Sequence, residues 1–304
     1  MKQDLLNFLH WTPEQLFPLL ELAKQVKQSP VEYQTKLAGK AIVGLFEKPS
    51  LRTRLSFDIG INKLGGSFHY LDSKQDKLAG RETTKDTAAN IGCWADAIVA
   101  RVYSHETLQV MAKSTEVPVI NALCDLYHPC QAVADYLTIT EAFGDVQKPQ
   151  IAYVGDGNNV AHSLMIVGAI LGAKINVVVP SGFEPDKQVI EQSAALAKQY
   201  GGVIEVTSGI ENFTQADVIY TDTWLSMGDD TPLEEIKSQF APFQLNQDMM
   251  QKTGAQFAMH CQPAHRELEI TSEVMDSQQS LLMQQAENRM HGQNAILLTL
   301  LNCI

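Results

Sequence analysis

Long apolar runs are missing from this chain. No window of its 304 residues approaches the ~18 uninterrupted apolar residues that a membrane-crossing helix needs, so no membrane span is expected. Positive charge is also scarce. Lys and Arg total 23 against 35 Asp and Glu, a formal net charge of −12. Such a chain is a poor general binder of nucleic acid or of membrane surfaces, although a few local arginines can still hold a small anion. Cysteine is sparse and scattered: Cys93, Cys124, Cys130, Cys261 and Cys303 form an odd set with no CxxC pair. That pattern disfavours a disulfide framework and a structural zinc site, and it fits a reducing, cytoplasmic compartment. The opening residues MKQDLLNFLHWTPEQ carry Asp4 early and lack the apolar core of a secretory leader. The sequence has no internal repeat and no low-complexity tract.

What is present is an ordinary globular composition, 45% hydrophobic and 19% charged. Extended disorder is not expected, and the length suggests two domains. Thr12, Pro13 and Gln15 make a helix start, with a cap, a proline at the first position and a glutamine three residues after the cap. Ala41 to Phe46 reads as a buried strand, and Thr53 to Leu64 has helical spacing that stops at Gly65-Gly66. Ala95 to Val102 and Pro118 to Ile120 are further apolar runs. The alternation restarts with strand-like segments at Gln150–Val154, Ile175–Val179, Val203–Val206, Val218–Tyr220 and Phe257–Met259, with a helical stretch from Val160 to Leu171. Strands alternating with helices predict an α/β fold of two domains, each a mostly parallel sheet covered by helices on both faces. The polar stretch Thr140 to Lys148 sets the boundary, giving domains at 1–140 and 141–285. A final helix, 286–304, is expected to pack back on the first domain.

Ligands in open parallel sheets bind beyond the carboxyl ends of the strands, and polar residues gather at those places. Ser50-Leu51-Arg52-Thr53-Arg54 follows a buried strand and a proline turn and opens a helix. Free N–H groups, hydroxyls and guanidinium groups there suit a phosphate. In His128-Pro129-Cys130-Gln131 the histidine can polarise a carbonyl oxygen and the glutamine can read an amide. Asp222-Thr223-Trp224-Leu225-Ser226-Met227-Gly228 follows a strand with a carboxylate, hydroxyls and a glycine turn, groups able to hold an ammonium and a carboxylate. His260, Cys261 and His265 invite a zinc reading, but the spacing lacks the two close ligand pairs of structural zinc sites, and no metal is expected. Gly155-Asp156-Gly157 begins like a dinucleotide fingerprint, yet Val160 stands where the third glycine belongs. A nicotinamide-dependent oxidoreductase is therefore disfavoured, and Asn158 and Asn159 read as a polar helix start facing a small ligand.

The order of these motifs resembles the aspartate/ornithine carbamoyltransferase family over about residues 46–295. Ser50 to Arg54 is similar to the family's Ser-Thr-Arg-Thr-Arg loop, and His128 to Gln131 to its His-Pro-x-Gln element. Arg101 matches its lone arginine between them. Asp222 to Gly228 is similar to its Asp-x-x-x-Ser-Met-Gly motif, His260 to Pro263 to His-Cys-Leu-Pro, and Arg289 to a late arginine. The departures are Leu51 for a threonine, Gln262 for a leucine, Glu267 for a glycine, and Ala79-Gly80-Arg81-Glu82 for Gly-Arg-Gly-Glu.

The resemblance implies carbamoyl transfer from carbamoyl phosphate to the side-chain amine of L-ornithine, without a metal, an organic cofactor or a covalent thiol intermediate. It implies that residues 1–140 bind carbamoyl phosphate and 141–285 bind ornithine. Carbamoyl phosphate falls to Ser50, Leu51, Arg52, Thr53, Arg101, His128, Gln131, Cys261, Gln262 and Arg289, and ornithine to Asn159, Asp222, Ser226 and Met227. Arg101, His128, Asp222 and Cys261 take the catalytic roles, and a homotrimer, alone or within a larger assembly of trimers, is implied. Ser226-Met227-Gly228 disfavours acetylornithine, succinylornithine or putrescine as acceptor, Cys261-Gln262-Pro263 disfavours aspartate, and two half-sites disfavour a non-catalytic binding module.

Overall fold

The computed structural model describes residues 2–72, 82–144, 149–213, 215–225 and 231–304. The chain forms two compact units, one of Met1–Leu137 with Arg289–Ile304, the other of Thr138–Asn288. In chain order the first unit runs α1 (Pro13–Gln28), α2 (Pro30–Tyr33), β1 (Ala41–Phe46), α3 (Leu51–Lys63), β2 (Ser67–Asp72), α4 (Thr84–Gly92), β3 (Ala97–Arg101), α5 (His105–Ser114), β4 (Val119–Leu123) and most of α6 (Pro129–Phe143). The second unit holds β5 (Gln150–Val154), α7 (Asn159–Ile170), β6 (Lys174–Val179), α8 (Lys187–Tyr200), β7 (Val203–Ser208), β8 (Val218–Thr221), α9 (Leu233–Phe240), α10 (Gln247–Thr253), β9 (Phe257–His260) and α11 (Ser272–Met275). The last helix, α12 (Leu282–Leu300), starts in the second unit and from Arg289 onward belongs to the first.

Both sheets are parallel, ordered β2-β1-β3-β4 and β7-β6-β5-β8-β9. In the first, α3 carries the chain from β1 outward to β2, while α4 and α5 carry it the other way. Right-handed crossovers running in opposite directions put their helices on opposite faces. The second sheet does the same, with α7 and α8 on one side of the turnover and α9 and α10 on the other. Covered on both faces, a strand must be apolar throughout rather than alternating: all of β3 and β8 and all but the first residue of β5 are buried. The two-domain α/β fold expected from the sequence is the one observed. Strand β2 was not anticipated. It is an edge strand with no buried residue, so it lacks the continuous apolar run that marked its neighbours.

Each sheet has one point where the order of the strands reverses, between β1 and β3 and between β5 and β8. Loops after these strands splay apart and leave a crevice, which fixes where each unit can bind a ligand. Among the described residues, no helix is long and apolar enough to cross a membrane.

The loop after β5 has no spare room. The Gly157 N–H donates to the Phe183 carbonyl at 2.9 Å, and a Cβ at Gly157 would lie 2.3 Å from the Pro185 nitrogen and 2.6 Å from the Phe183 oxygen, all backbone. Gly157→Ala is therefore expected to cost about 1–3 kcal/mol, read as a lower thermal unfolding temperature. An unchanged temperature would show that the backbone at 183–185 yields freely.

Candidate active site

At the first crevice, Ser50 caps α3. Its Oγ accepts the Thr53 N–H at 3.3 Å and donates to Thr53 Oγ1 at 3.0 Å. Ser50 is a strong cap type, and the cap holds the helix end with its free N–H groups open at the strand end. Thr53 is 1% exposed. Its hydroxyl also accepts Arg289 Nη2 at 2.9 Å, and Arg289 Nη1 donates to Gln131 Oε1. Gln131 in turn donates through Nε2 to Asp135 Oδ1 at 2.7 Å. With Nε2 held by the carboxylate, the amide is fixed with its oxygen turned to the arginine. Arg54 instead lies over the Tyr70 ring, 4.2 Å from its centroid, while Leu51 and Arg52 are exposed on the first turn.

Arg101 ends β3 where the β3–β4 register shifts, between Ala100 and Arg101. Such irregularities re-aim side chains beside functional sites. Arg101 is 4% exposed, and its carbonyl accepts the Glu47 N–H at 2.8 Å, which ties the ends of β1 and β3 together. Lys48 sits in the same cationic patch, 4.7 Å from the Tyr103 ring centre. Burial, then the Arg101 charge, pulls its ammonium below the usual lysine range. His128 is buried, and desolvation, followed by the Arg289 and Arg101 charges, holds its imidazole well below the usual range. It is a neutral hydrogen-bonding group at neutral pH. Cys130 is inert by the same physics, its thiol pushed up to about 12 by burial.

At the second crevice Asn158 caps α7, its Oδ1 accepting the N–H groups of Val160 at 2.9 Å and Ala161 at 3.3 Å and the Tyr153 hydroxyl at 3.2 Å. Its Nδ2 donates to Asp222 Oδ2 at 2.9 Å, and the other carboxylate oxygen accepts the Cys261 thiol at 2.9 Å. Residues at the ends of β5 and β9 thus donate to one largely buried carboxylate at the end of β8. Burial and the Asp222 charge push the Tyr153 phenol well above its usual range, so it keeps the proton that it donates to Asn158. Asn159 opens α7 beside this network. Ser226, Met227 and Gly228, and Ala79 to Arg81, lie outside the described residues.

The fold brings ligand atoms of Asp222, His260 and Cys261 within 4.8 Å of one another. A metal would need His260 as a donor, and both its nitrogens are committed: Nδ1 accepts the Gln262 N–H at 2.9 Å and Nε2 lies 3.0 Å from Glu269 Oε1. The remaining pair is too few ligands for a structural zinc site. Sequence reasoning had named Ser50, Thr53, Arg101, His128, Gln131 and Arg289 in the first unit, and the fold gathers them. In the second it gathers Asp222 and Cys261. It passed over Asp135 and Glu269, whose only signal is acidity in an apolar context, and it left Lys48 as a turn residue. Asn158 was legible as a polar helix start but not as the partner of Asp222.

Comparison with known proteins agrees with this geometry. Residues 3–141 match the model described as aspartate/ornithine carbamoyltransferase, carbamoyl-P binding domain, and residues 147–300 match the companion Asp/Orn binding domain. Two parallel α/β units with cationic and carboxylate-bearing strand ends, matched by both models, place the chain in the aspartate/ornithine carbamoyltransferase family. It is 58% identical to an ornithine carbamoyltransferase of Moritella abyssi over 98% of this chain and 99% of the other. It is equally similar, over the same shares, to one from Vibrio sp. (strain 2693). The solved ornithine carbamoyltransferase from Pyrococcus furiosus superposes with a TM-score of 0.93 at 44% identity, covering 98% of this chain and 96% of that one.

A buried neutral histidine makes a prediction about acid. Below a pH of about 6.5 an unfolded chain protonates this side chain, whereas the folded one resists. The unfolded state then binds more protons, and stability falls as pH drops. His128→Gln cannot titrate, so its unfolding temperature should fall less between pH 7 and pH 5 than that of the parent. Equal falls would show that His128 takes up its proton while folded.

Proposed function

We infer that this chain transfers the carbamoyl group of carbamoyl phosphate to the side-chain amine of L-ornithine, giving L-citrulline and phosphate. The relatives at 57–58% identity over nearly the whole chain carry that activity in their names. The observation that carries the reading is that one unit holds a cationic, hydroxyl-bearing helix start and the other a carboxylate–thiol pair.

The chemistry accounts for the residue types. Attack on the carbonyl carbon puts negative charge on its oxygen, and phosphate departs as an anion. Preorganised donors aimed at both supply the largest expected catalytic effect. Ser50, Arg52, Thr53 and Arg101, with Arg289, bind the phosphate in this reading, and Leu51 contributes backbone. Thr53, Arg101 and neutral His128 face the carbonyl oxygen, and Gln131 reads the carbamoyl amide. To do so, Gln131 Oε1 exchanges its bond from Arg289 for one from the substrate, which frees Arg289 for the phosphate. Cys261 and Gln262 border the carbamoyl group through the backbone.

The attacking amine must be neutral, yet a free alkylamine has a pKa near ~10.4. Desolvation favours the neutral form. Asp222 and Cys261 orient the amine, while Asn159, Asp222, Ser226 and Met227 hold the α-amino and α-carboxylate groups. The reaction draws on no metal and no organic cofactor, and five cysteines outside any disulfide suit a cytoplasmic setting.

The test is a citrulline assay with carbamoyl phosphate fixed and ornithine, acetylornithine, succinylornithine, putrescine and aspartate as acceptors. Ornithine should be preferred. Preference for another acceptor would overturn the second-unit assignments and point first to Gln262, and no turnover from folded protein would overturn the enzyme reading.

The implied homotrimer has support on α3. Leu51, Leu55 and Ile59, spaced four residues apart on one stripe, are 71%, 44% and 48% exposed. An apolar stripe of this kind is a surface that another protein covers, here a second copy. Sedimentation equilibrium should give three chains, and Leu55→Glu with Ile59→Glu should shift the mass downward. A monomer at assay concentration would overturn the trimer.

A further inference from the structure

His260 and Glu269 form a fully buried ionisable pair of the second unit that the proposed reaction does not use. Both are 0% exposed, so neither touches a substrate. Their bonds lead to a residue that does. The Gln262 N–H can only donate, so His260 Nδ1, which receives it at 2.9 Å, carries no proton. The proton sits on Nε2, which donates to Glu269 Oε1 at 3.0 Å. A carboxylate behind an imidazole selects the tautomer in this way. Glu269 Oε1 also accepts the His265 N–H at 2.6 Å, so one oxygen ties both ends of the 260–269 loop. The His260 N–H is held from α12 by Gln285 Oε1 at 3.0 Å.

The held loop has a purpose at its tip. Gln262 has φ 60°, in the left-handed region that a side chain with a Cβ disfavours. Such a conformation persists only where its surroundings over-determine it, and the bond from its N–H to His260 is the restraint on it. Cys261 stands between these two residues, and the direction of its side chain follows from theirs. Its thiol points to Asp222 Oδ1 at 2.9 Å.

We propose that Glu269 and His260 are positioning residues that act through the Gln262 backbone to hold the Cys261 thiol on Asp222. The proposal rests on the reading that Asp222 and Cys261 meet the ornithine amine. Loosening the loop would misdirect the amine and leave the phosphate contacts of the first unit in place.

The test separates the two nitrogens of His260. In His260→Asn the amide oxygen can stand in for Nδ1 and keep the Gln262 bond. In His260→Gln the amide reaches toward Glu269 and loses Gln262. Cys261 alkylation by iodoacetamide is followed by peptide mass spectrometry, with exposed Cys93 as internal reference, together with kcat and KM for ornithine and the Kd of carbamoyl phosphate. His260→Gln should lower kcat/KM for ornithine by roughly 10–100-fold, in the range of lost orienting partners. It should also speed Cys261 alkylation relative to Cys93, with the Kd of carbamoyl phosphate, held mainly by the first unit, moving less than kcat/KM for ornithine. His260→Asn should lose clearly less on both counts. Should His260→Gln not fold, Glu269→Gln, which keeps an acceptor, and Glu269→Ala, which does not, carry the same comparison. Equal losses in the paired variants, or an alkylation rate that does not move, would overturn the proposal while ornithine turnover by the parent stands. If the alkylation contrast appears but the parent does not use ornithine, the positioning role holds and the substrate reading fails.

Discussion

Parallel pairing forces every strand of a sheet to end on the same edge, and the helix that follows each strand begins there with N–H groups lacking partners inside the helix. That constraint organises both units. Ser50 and Asn158 are the residues that answer it after β1 and β5, each capping the next helix with its side chain. Neither cap is only local. Ser50 shares its bond with Thr53, and through it with Arg289, and Asn158 shares its second donor with Asp222. Satisfying the helix ends and assembling the polar groups for chemistry are the same set of bonds.

The two halves solve opposite electrostatic problems. The first unit buries Arg101 and Arg289 nearly completely, and isolated buried cations are costly. Asp135, Gln131 and Thr53 supply acceptors to the network around Arg289, while His128 remains neutral between two guanidinium groups. The result is a cluster rich in donors. The second unit concentrates acceptors on Asp222, with an amide and a thiol as its donors. One half presents donors, the other a carboxylate.

Much of this was legible in the sequence because buried parallel strands are written as unbroken apolar runs. Ala41–Phe46, Gln150–Val154 and Val218–Tyr220 were found that way, and the candidate site residues follow each of them. Strand β2 escaped because an exposed edge carries no such run. Glu269 and Asp135 escaped for a different reason. A buried acid has no signature of its own, and its role is set by partners such as His260 that the fold delivers. The register shift at Arg101 belongs to the same class, since it arises from how β3 meets β4 and not from the residues of β3 alone.

The first unit is built from both ends of the chain: the Arg289–Thr53 bond joins residues 236 positions apart, and Arg289 to Ile304 belong to the unit that begins at Met1. During synthesis from the N-terminus, the early strands and helices emerge long before α12. Their Gly60 surface, packed against Met290 and Asn294, stays open until the last helix leaves the ribosome. The second unit, continuous in sequence, can close first. Vectorial synthesis therefore favours an order in which the later-coded unit folds ahead of the earlier one, and the Arg289–Thr53 bond forms last.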